Sequence, residues 1–306
     1  MLSRTADNIY WMARMVERAQ GIVRLLEAAY RMDRLPGGGA GWDPILTISG
    51  QIDGFKSKYG ELTSKNVLNF MIFDQDNPSS VFSCIRAGRE NTRSERSILP
   101  EEMFESINTT WIDMQGLYYD SLEQSGFYEF FEWVKDRTEL FRGQTVSMMV
   151  YDDAFQFARM GTYIERADFT ARLLDVKYHI LLPPDATDRG LIDYYQWGEM
   201  LRSVGGWHAY RAIYKEAPVP SKIAEMLIFN PIFPRSMNSA YGEIVTSLGA
   251  LRPDTLSLKI ASQEHAFLHT GTLAGILKER PLHDFLTDFV GFTARLSDQI
   301  RADFML

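Results

Sequence analysis

The stretch Asn8-Ile9-Tyr10-Trp11-Met12-Ala13-Arg14-Met15-Val16-Glu17-Arg18-Ala19-Gln20-Gly21-Ile22-Val23-Arg24-Leu25-Leu26 decides the fold. Ile9, Met12, Val16, Ala19, Val23, Leu26 and then Tyr30 return at spacings of three and four, the period of one face of an α-helix. The segment from Gln156 to Leu174 repeats this stretch at an offset of 148, with seven of nineteen positions identical. Met12, Glu17, Arg18, Ala19, Arg24, Leu25 and Leu26 fall on Met160, Glu165, Arg166, Ala167, Arg172, Leu173 and Leu174.

Two further blocks match in the same order. Trp42, Leu46, Gly50, Phe55 and Tyr59 fall on Trp197, Leu201, Gly205, Tyr210 and Tyr214. Phe73, Asp74, Pro78 and Ser80 fall on Phe229, Asn230, Pro234 and Ser236. The connection 183–190 is longer than its counterpart 36–41, which accounts for the shift in offset. Three collinear blocks imply a tandem duplication, and two copies imply a pseudo-symmetric pair of units instead of a solenoid.

The rest of the chain also reads as helix. Met103, Ile107, Trp111, Met114, Tyr118 and Leu122 form a second periodic run, opened by Pro100-Glu101-Glu102, a proline and two acids suited to a helix start. Ser3 is a candidate N-cap, Asn77-Pro78-Ser79-Ser80 a further helix start, and Asp152-Asp153 are candidate capping acids. Pro36-Gly37-Gly38-Gly39 is expected to stop the first helix; without a lysine or a preceding strand it is not a phosphate loop. No stretch alternates with period two. The expectation is an all-α fold of two tandem, pseudo-symmetric helical-bundle repeats, 1–148 and 149–306, packed into one compact unit.

Composition narrows the function classes. The 306 residues are 45% hydrophobic and 24% charged, as in ordinary globular domains. A net charge of -8 argues against a nucleic-acid binder. Cys84 is the single cysteine, so a disulfide framework and a cysteine zinc site are excluded, and a buried inert thiol is expected. No signal peptide or membrane-length apolar run is present, which fits a soluble cytoplasmic protein. His265 and His269, four apart, are a weak metal signal, and neither a metal nor a cofactor is expected.

The two Glu-Arg pairs pose the functional question. Arg18, Glu165 and Arg166 have no opposite charge three or four residues away on their own helix, and Glu17 has only Arg14. Their partners must come from other helices, a ligand or water. The leading account pairs Glu17 with Arg166 and Glu165 with Arg18 across the copies, with Ala13 and Gly161 permitting close helix approach. The alternatives are a solvated face, or a polar cleft in which Arg binds a carboxylate or phosphate and Glu acts as a base. Arg24 and Arg172 lie two turns on, on the same face.

A second candidate is the run Arg86-Ala87-Gly88-Arg89-Glu90-Asn91-Thr92-Arg93. Arg86, Arg89, Arg93 and Arg96 form a basic stripe, with Arg86 and Glu90 placed to pair. It reads either as a solvated face or as an anion or carboxylate site. The second copy has Tyr241-Gly242-Glu243-Ile244-Val245 there and does not keep it, which favours a role outside the scaffold.

These segments resemble a known family. Leu2-Ser3-Arg4-Thr5-Ala6-Asp7-Asn8-Ile9-Tyr10-Trp11 leading into Glu17-Arg18-Ala19 is similar to the start of the Alpha-E family. The same holds for Phe73-Asp74 with Asn77-Pro78-Ser79-Ser80, for Arg89-Glu90-Asn91 with Arg93, and for Glu165-Arg166-Ala167-Asp168. The resemblance implies a helical domain with a Glu-Arg motif, usually in tandem, carried here by Glu17, Arg18, Glu165 and Arg166. It also implies proximity to circularly permuted ATP-grasp carboxylate-amine ligases, transglutaminase-like proteins and NTN-type peptidases in a bacterial peptide synthesis or modification system. Three functions stay open. One is a partner- or peptide-binding component, with a possible peptide or carboxylate ligand. Another is an enzyme of amide or acyl transfer using a Glu/Arg cleft. The third is a structural scaffold or oligomerisation module.

Overall fold

The computed structural model describes residues 1–34, 42–179 and 191–305, and the chain is all-α. The connections 36–41 and 183–190 lie outside the described residues. Sixteen α-helices follow one another, without a strand among the described residues. The first nine are α1 (Ser3–Asp33), α2 (Asp43–Ile48), α3 (Ile52–Lys58), α4 (Ser64–Leu68), α5 (Val81–Ser94), α6 (Glu101–Gln115), α7 (Tyr119–Ser125), α8 (Phe127–Met148) and α9 (Asp153–His179). A π-helical turn, Asn69–Phe73, follows α4 directly. Then come α10 (Leu191–Ser203), α11 (Trp207–Tyr214), α12 (Pro220–Phe229), α13 (Met237–Leu251), α14 (Leu256–Thr270), α15 (Leu273–Glu279) and α16 (Leu282–Phe304). No described helix is long and apolar enough to cross a membrane.

Compactness divides the chain inside α9. One unit holds Met1–Tyr30 and Gly41–Thr162; the other holds Arg31–Ala40 and Tyr163–Phe304. Residue 148, where the sequence reading divides the repeats, is the last residue of α8. In the first unit α5 packs on α6 and α6 on α8; in the second, α13 packs on α14 and α14 on α16. The apolar stripe of α1 is buried as its period requires: Ile9, Met12, Val16, Ala19, Val23 and Leu26 are all core. Cys84 is buried, as expected of an inert thiol.

Local geometry recurs at positions that match in sequence. Gly50 and Gly205 both take positive φ, 66° and 64°, closing a helix end where an L side chain would be strained. Ser80 Oγ accepts the Ser83 N–H at 3.1 Å, and Ser236 Oγ accepts the Ser239 N–H at 2.9 Å, so each serine caps its helix. Asp74 Oδ1 accepts the Asp76 N–H at 2.9 Å, and Asn230 Oδ1 accepts the Ile232 N–H at 3.0 Å. Trp42 and Trp197, and Phe55 and Tyr210, are buried.

Helix ends differ from the periodicity in three places. Leu2 supplies the capping carbonyl of α1, accepting from Ala6 N–H at 3.0 Å, so Ser3 is inside the helix. The run from Met103 to Leu122 is two helices, because α6 ends at Gln115 with Gly116 as its cap and α7 starts after Tyr118. Tyr118 is exposed, and its N–H is held by Ser121 Oγ at 3.1 Å. The α5 helix ends at Ser94, which leaves Arg96 beyond the helical part of the stripe. Asp152 does cap α9, through the Ala154 N–H at 2.9 Å.

Candidate functional site

The Glu-Arg motif is buried. Glu17, Glu165 and Arg166 are only 6%, 5% and 6% exposed, and Arg18 is half-buried. Glu17 finds a base on another helix: Arg142 of α8 reaches its carboxylate at 3.1 Å and Gln20 Oε1 at 3.2 Å. Gln20 in turn donates to Glu139 at 3.0 Å, and Glu139 holds Arg24 at 2.9 Å. One turn on, Lys135 bonds Glu27 at 2.7 Å.

These contacts form one seam. On α1 the polar residues are Glu17, Gln20, Arg24 and Glu27, spaced three, four and three apart. On α8 they are Lys135, Glu139 and Arg142, spaced four and three. Rising numbers on α1 meet falling numbers on α8, so the helices run antiparallel with opposite charges in register. A cavity of about 20 Å³ beside Glu17 is lined by Gln20, Thr138, Arg142, Thr145 and Thr162, among others. That is room for about one water molecule. Thr138, Thr145 and Thr162 each donate their hydroxyl hydrogen to a carbonyl of their own helix, at 2.9, 3.0 and 3.1 Å.

In the second unit the motif meets a loop. Arg166 Nη1 donates to the Pro234 carbonyl at 3.4 Å, and its guanidinium lies 5.0 Å from the Tyr163 ring. Thr170 Oγ1 donates to the Arg235 carbonyl at 2.9 Å. These bonds tie α9 to the turn that opens α13. Arg172, the sequence match of Arg24, bonds Asp168 on its own helix at 2.7 Å. The two arginines therefore share a sequence position and not a partner.

The basic run on α5 is assembled differently. Glu90 takes Arg93 at 2.8 Å and is also paired with Arg89. Arg86 reaches Gln75 at 3.5 Å instead of the expected Glu90, because the adjacent arginines fill that carboxylate. Arg89 Nε donates to Asn108 Oδ1 of α6 at 2.9 Å. Asn91 is half-buried on the same helix. Burial alone would raise the Glu90 carboxyl, but the bonds from Arg93 and Arg89 outweigh it and hold it below the ordinary range. Side-chain exposure rises from 24% at Arg89 to 42% at Glu90 and 57% at Arg93, so this cluster faces solvent while the Glu-Arg motif does not.

The sequence search for same-helix counter-ions passed over Arg142, Glu139, Lys135 and Asn108. The signal available was the spacing of 135, 139 and 142, a charged face on a helix whose other face is apolar. The loop before α5 has its own clasp: Lys58 Nζ sits 2.8 Å from both Asp74 and Asp76, and Asn77 Nδ2 donates to the Phe70 carbonyl at 3.0 Å. Hydrogen bonds to Asp74 and Asp76 hold the Lys58 ammonium well above its ordinary range. His265 and His269 have ring centroids 5.9 Å apart. Burial, and then His269, lower the His265 pKa. No group of three or more metal-ligating side chains occurs among the described residues.

A family model described as "a predicted alpha-helical domain with a conserved ER motif" matches residues 1–305. No curated protein and no solved structure matches the chain.

Proposed function

The chain belongs to the Alpha-E family, and from that premise we propose that it is a cytoplasmic, helical partner- or peptide-binding component of a bacterial peptide synthesis or modification system. It would work with an ATP-grasp carboxylate-amine ligase. The observation that carries the reading is the contrast between two polar sites. The buried Glu17 is bonded to Arg142 beside a cavity with room for about one water. The Arg89-Glu90-Arg93 cluster meets solvent on a rigid helix pair.

Catalysis at Glu17 would need space for a substrate beside the carboxylate. At Glu17, 6% exposed beside a cavity with room for about one water, that space is absent among the described residues. We read the motif as architecture: buried ion pairs fix helix register more than they add stability, because desolvation offsets much of the attraction. Guanidinium groups held by a neighbouring carboxylate and amide are pre-oriented for recognition at little entropic cost.

The test is co-expression of the chain with a circularly permuted ATP-grasp protein from the same genome. A complex that survives gel filtration at micromolar concentration supports the reading. Separate elution of two folded proteins overturns it.

A further inference from the structure

The α5–α6 pair carries a ladder of side chains on one face. Phe82 meets Trp111 with ring centroids 4.7 Å apart, Arg89 bonds Asn108 at 2.9 Å, and the Arg96 guanidinium lies 4.2 Å over the Phe104 ring. The α5 numbers rise as the α6 numbers fall, so the pair is antiparallel and the ladder is continuous. Ile112, one turn beyond Asn108, is an exposed large apolar residue on this side.

On α5, though not on α6 with its Glu101, Glu102, Glu105 and Asp113, the charge opposes that of the chain. Residues 86–96 contain four arginines and two glutamates, in a protein of net charge -8. Glu95 is buried and takes the Asn8 amide at 2.5 Å, which leaves Glu90 as the carboxylate among the arginines of α5. Glu90 is itself informative. Its Oε2 receives Arg93 through both Nε and Nη2, at 2.9 and 2.8 Å, and its Oε1 is paired with Arg89, so guanidinium groups hold both oxygens. Among the described residues, nothing accepts from Arg89 Nη2 or Arg93 Nη1. The cluster is a carboxylate-binding site already holding a carboxylate of its own.

We propose that this face docks a glutamate- or aspartate-rich peptide segment of the partner, its carboxylates engaging Arg86, Arg89 and Arg93 while an apolar residue rests on Ile112 and Trp111. Glu90 is the internal placeholder that the peptide carboxylate joins or displaces. This rests on the reading of the chain as a partner- or peptide-binding component and names the chemistry that the site takes. A phosphate would also satisfy the charge; the carboxylate that Arg89 and Arg93 already hold is the observation that favours a carboxylate.

The probe is a fluorescein-labelled hexaglutamate peptide with an amidated C-terminus, titrated with the full chain at 50 mM salt and read by anisotropy. The expected results are saturable binding, none by hexaglutamine, and loss of affinity at 250 mM salt. Arg93→Ala, at a largely exposed side chain, should weaken binding at least fivefold with an unchanged circular dichroism spectrum. Glu90→Gln should tighten it at least threefold, because the internal competitor is gone; a structural ion pair gives no such gain. Equal binding of hexaglutamine, an inert Arg93→Ala, a Glu90→Gln variant that folds but binds no tighter, or full displacement by an equal concentration of inorganic phosphate would each overturn the proposal. Hexaglutamate binding without co-elution of the ligase sinks the wider functional reading and leaves the site. Co-elution without hexaglutamate binding does the reverse.

Discussion

Gly161 on α9 is where a glycine of the first unit comes closest to the main chain of another helix. A Cβ built there would lie 2.2 Å from the Tyr10 carbonyl oxygen, 3.1 Å from the Tyr10 carbonyl carbon and 3.2 Å from Ala13 Cβ. A carbon and a carbonyl oxygen in favourable contact sit about 3.3–3.6 Å apart, so Gly161→Ala must drive the two helices apart locally by about 1 Å. The obstacle is main chain in the middle of a helix, with Tyr10 and Met12 wholly buried, so no side chain can turn aside to relieve it. Overpacking a close-packed core costs about 1–3 kcal/mol, and the upper part of that range applies here. Replacing glycine by alanine inside a helix returns about 1 kcal/mol through propensity. The net expectation is a loss of about 1–2 kcal/mol. At about 2–4 °C per kcal/mol, Tm falls by roughly 2–8 °C.

Urea unfolding followed by circular dichroism measures this as a lower midpoint with an unchanged slope. Gly143→Ala is the matched control. It sits exposed on α8 with nothing within 4 Å of the added methyl, and should gain about 0.5–1 kcal/mol. Adding Ala13→Gly to Gly161→Ala removes only the 3.2 Å contact and leaves the carbonyl clash, so it should recover little. A Gly161→Ala protein as stable as its parent would refute the close approach of these helices.

Arg142→Met removes a donor shared by Glu17 and Gln20; losing a charged hydrogen bond at a buried carboxylate should cost about 1.5–3 kcal/mol, read from the urea midpoint. Ser80→Ala and Ser236→Ala each delete an N-cap and should each cost about 1 kcal/mol by thermal unfolding, with equal losses if the two caps are equivalent. His283 has its pKa raised, first by the hydrogen bond to Asp175 at 2.7 Å. Its contribution is therefore complete below the ordinary histidine pKa and disappears as pH rises through the elevated folded value. Since both side chains are partly exposed, the loss should be about 0.5 kcal/mol or less, and His283→Ala should flatten that part of the stability–pH curve.

Much of the fold is legible in the chain because helix formation and capping are local. The three-and-four spacing of Ile9, Met12, Val16 and Ala19 names the buried face of α1, and Ser80 and Asp152 name helix starts through N–H groups two or three residues away. The same spacing failed between Met114 and Leu122, since periodicity persists in phase across the short break at Gly116 and does not register it. It also assigned Arg86 to Glu90 by spacing alone, where Arg89 and Arg93 hold that carboxylate. The pairing of Ala13 with Gly161 was readable because small residues, one turn before each glutamate, leave a groove that another helix fills.

By itself, then, the sequence determined an all-α chain of the Alpha-E family, the face that α1 buries, and the two charged motifs that need partners. Only the tertiary structure decided which motif is buried and which meets solvent. Glu17 and Arg142 are 125 residues apart, and each looks like an ordinary surface charge in its own segment. Burial periodicity is fixed by neighbours three and four residues away. Ion pairing across a helix seam depends on which faces pack together and in what register, a choice made by the whole core at once.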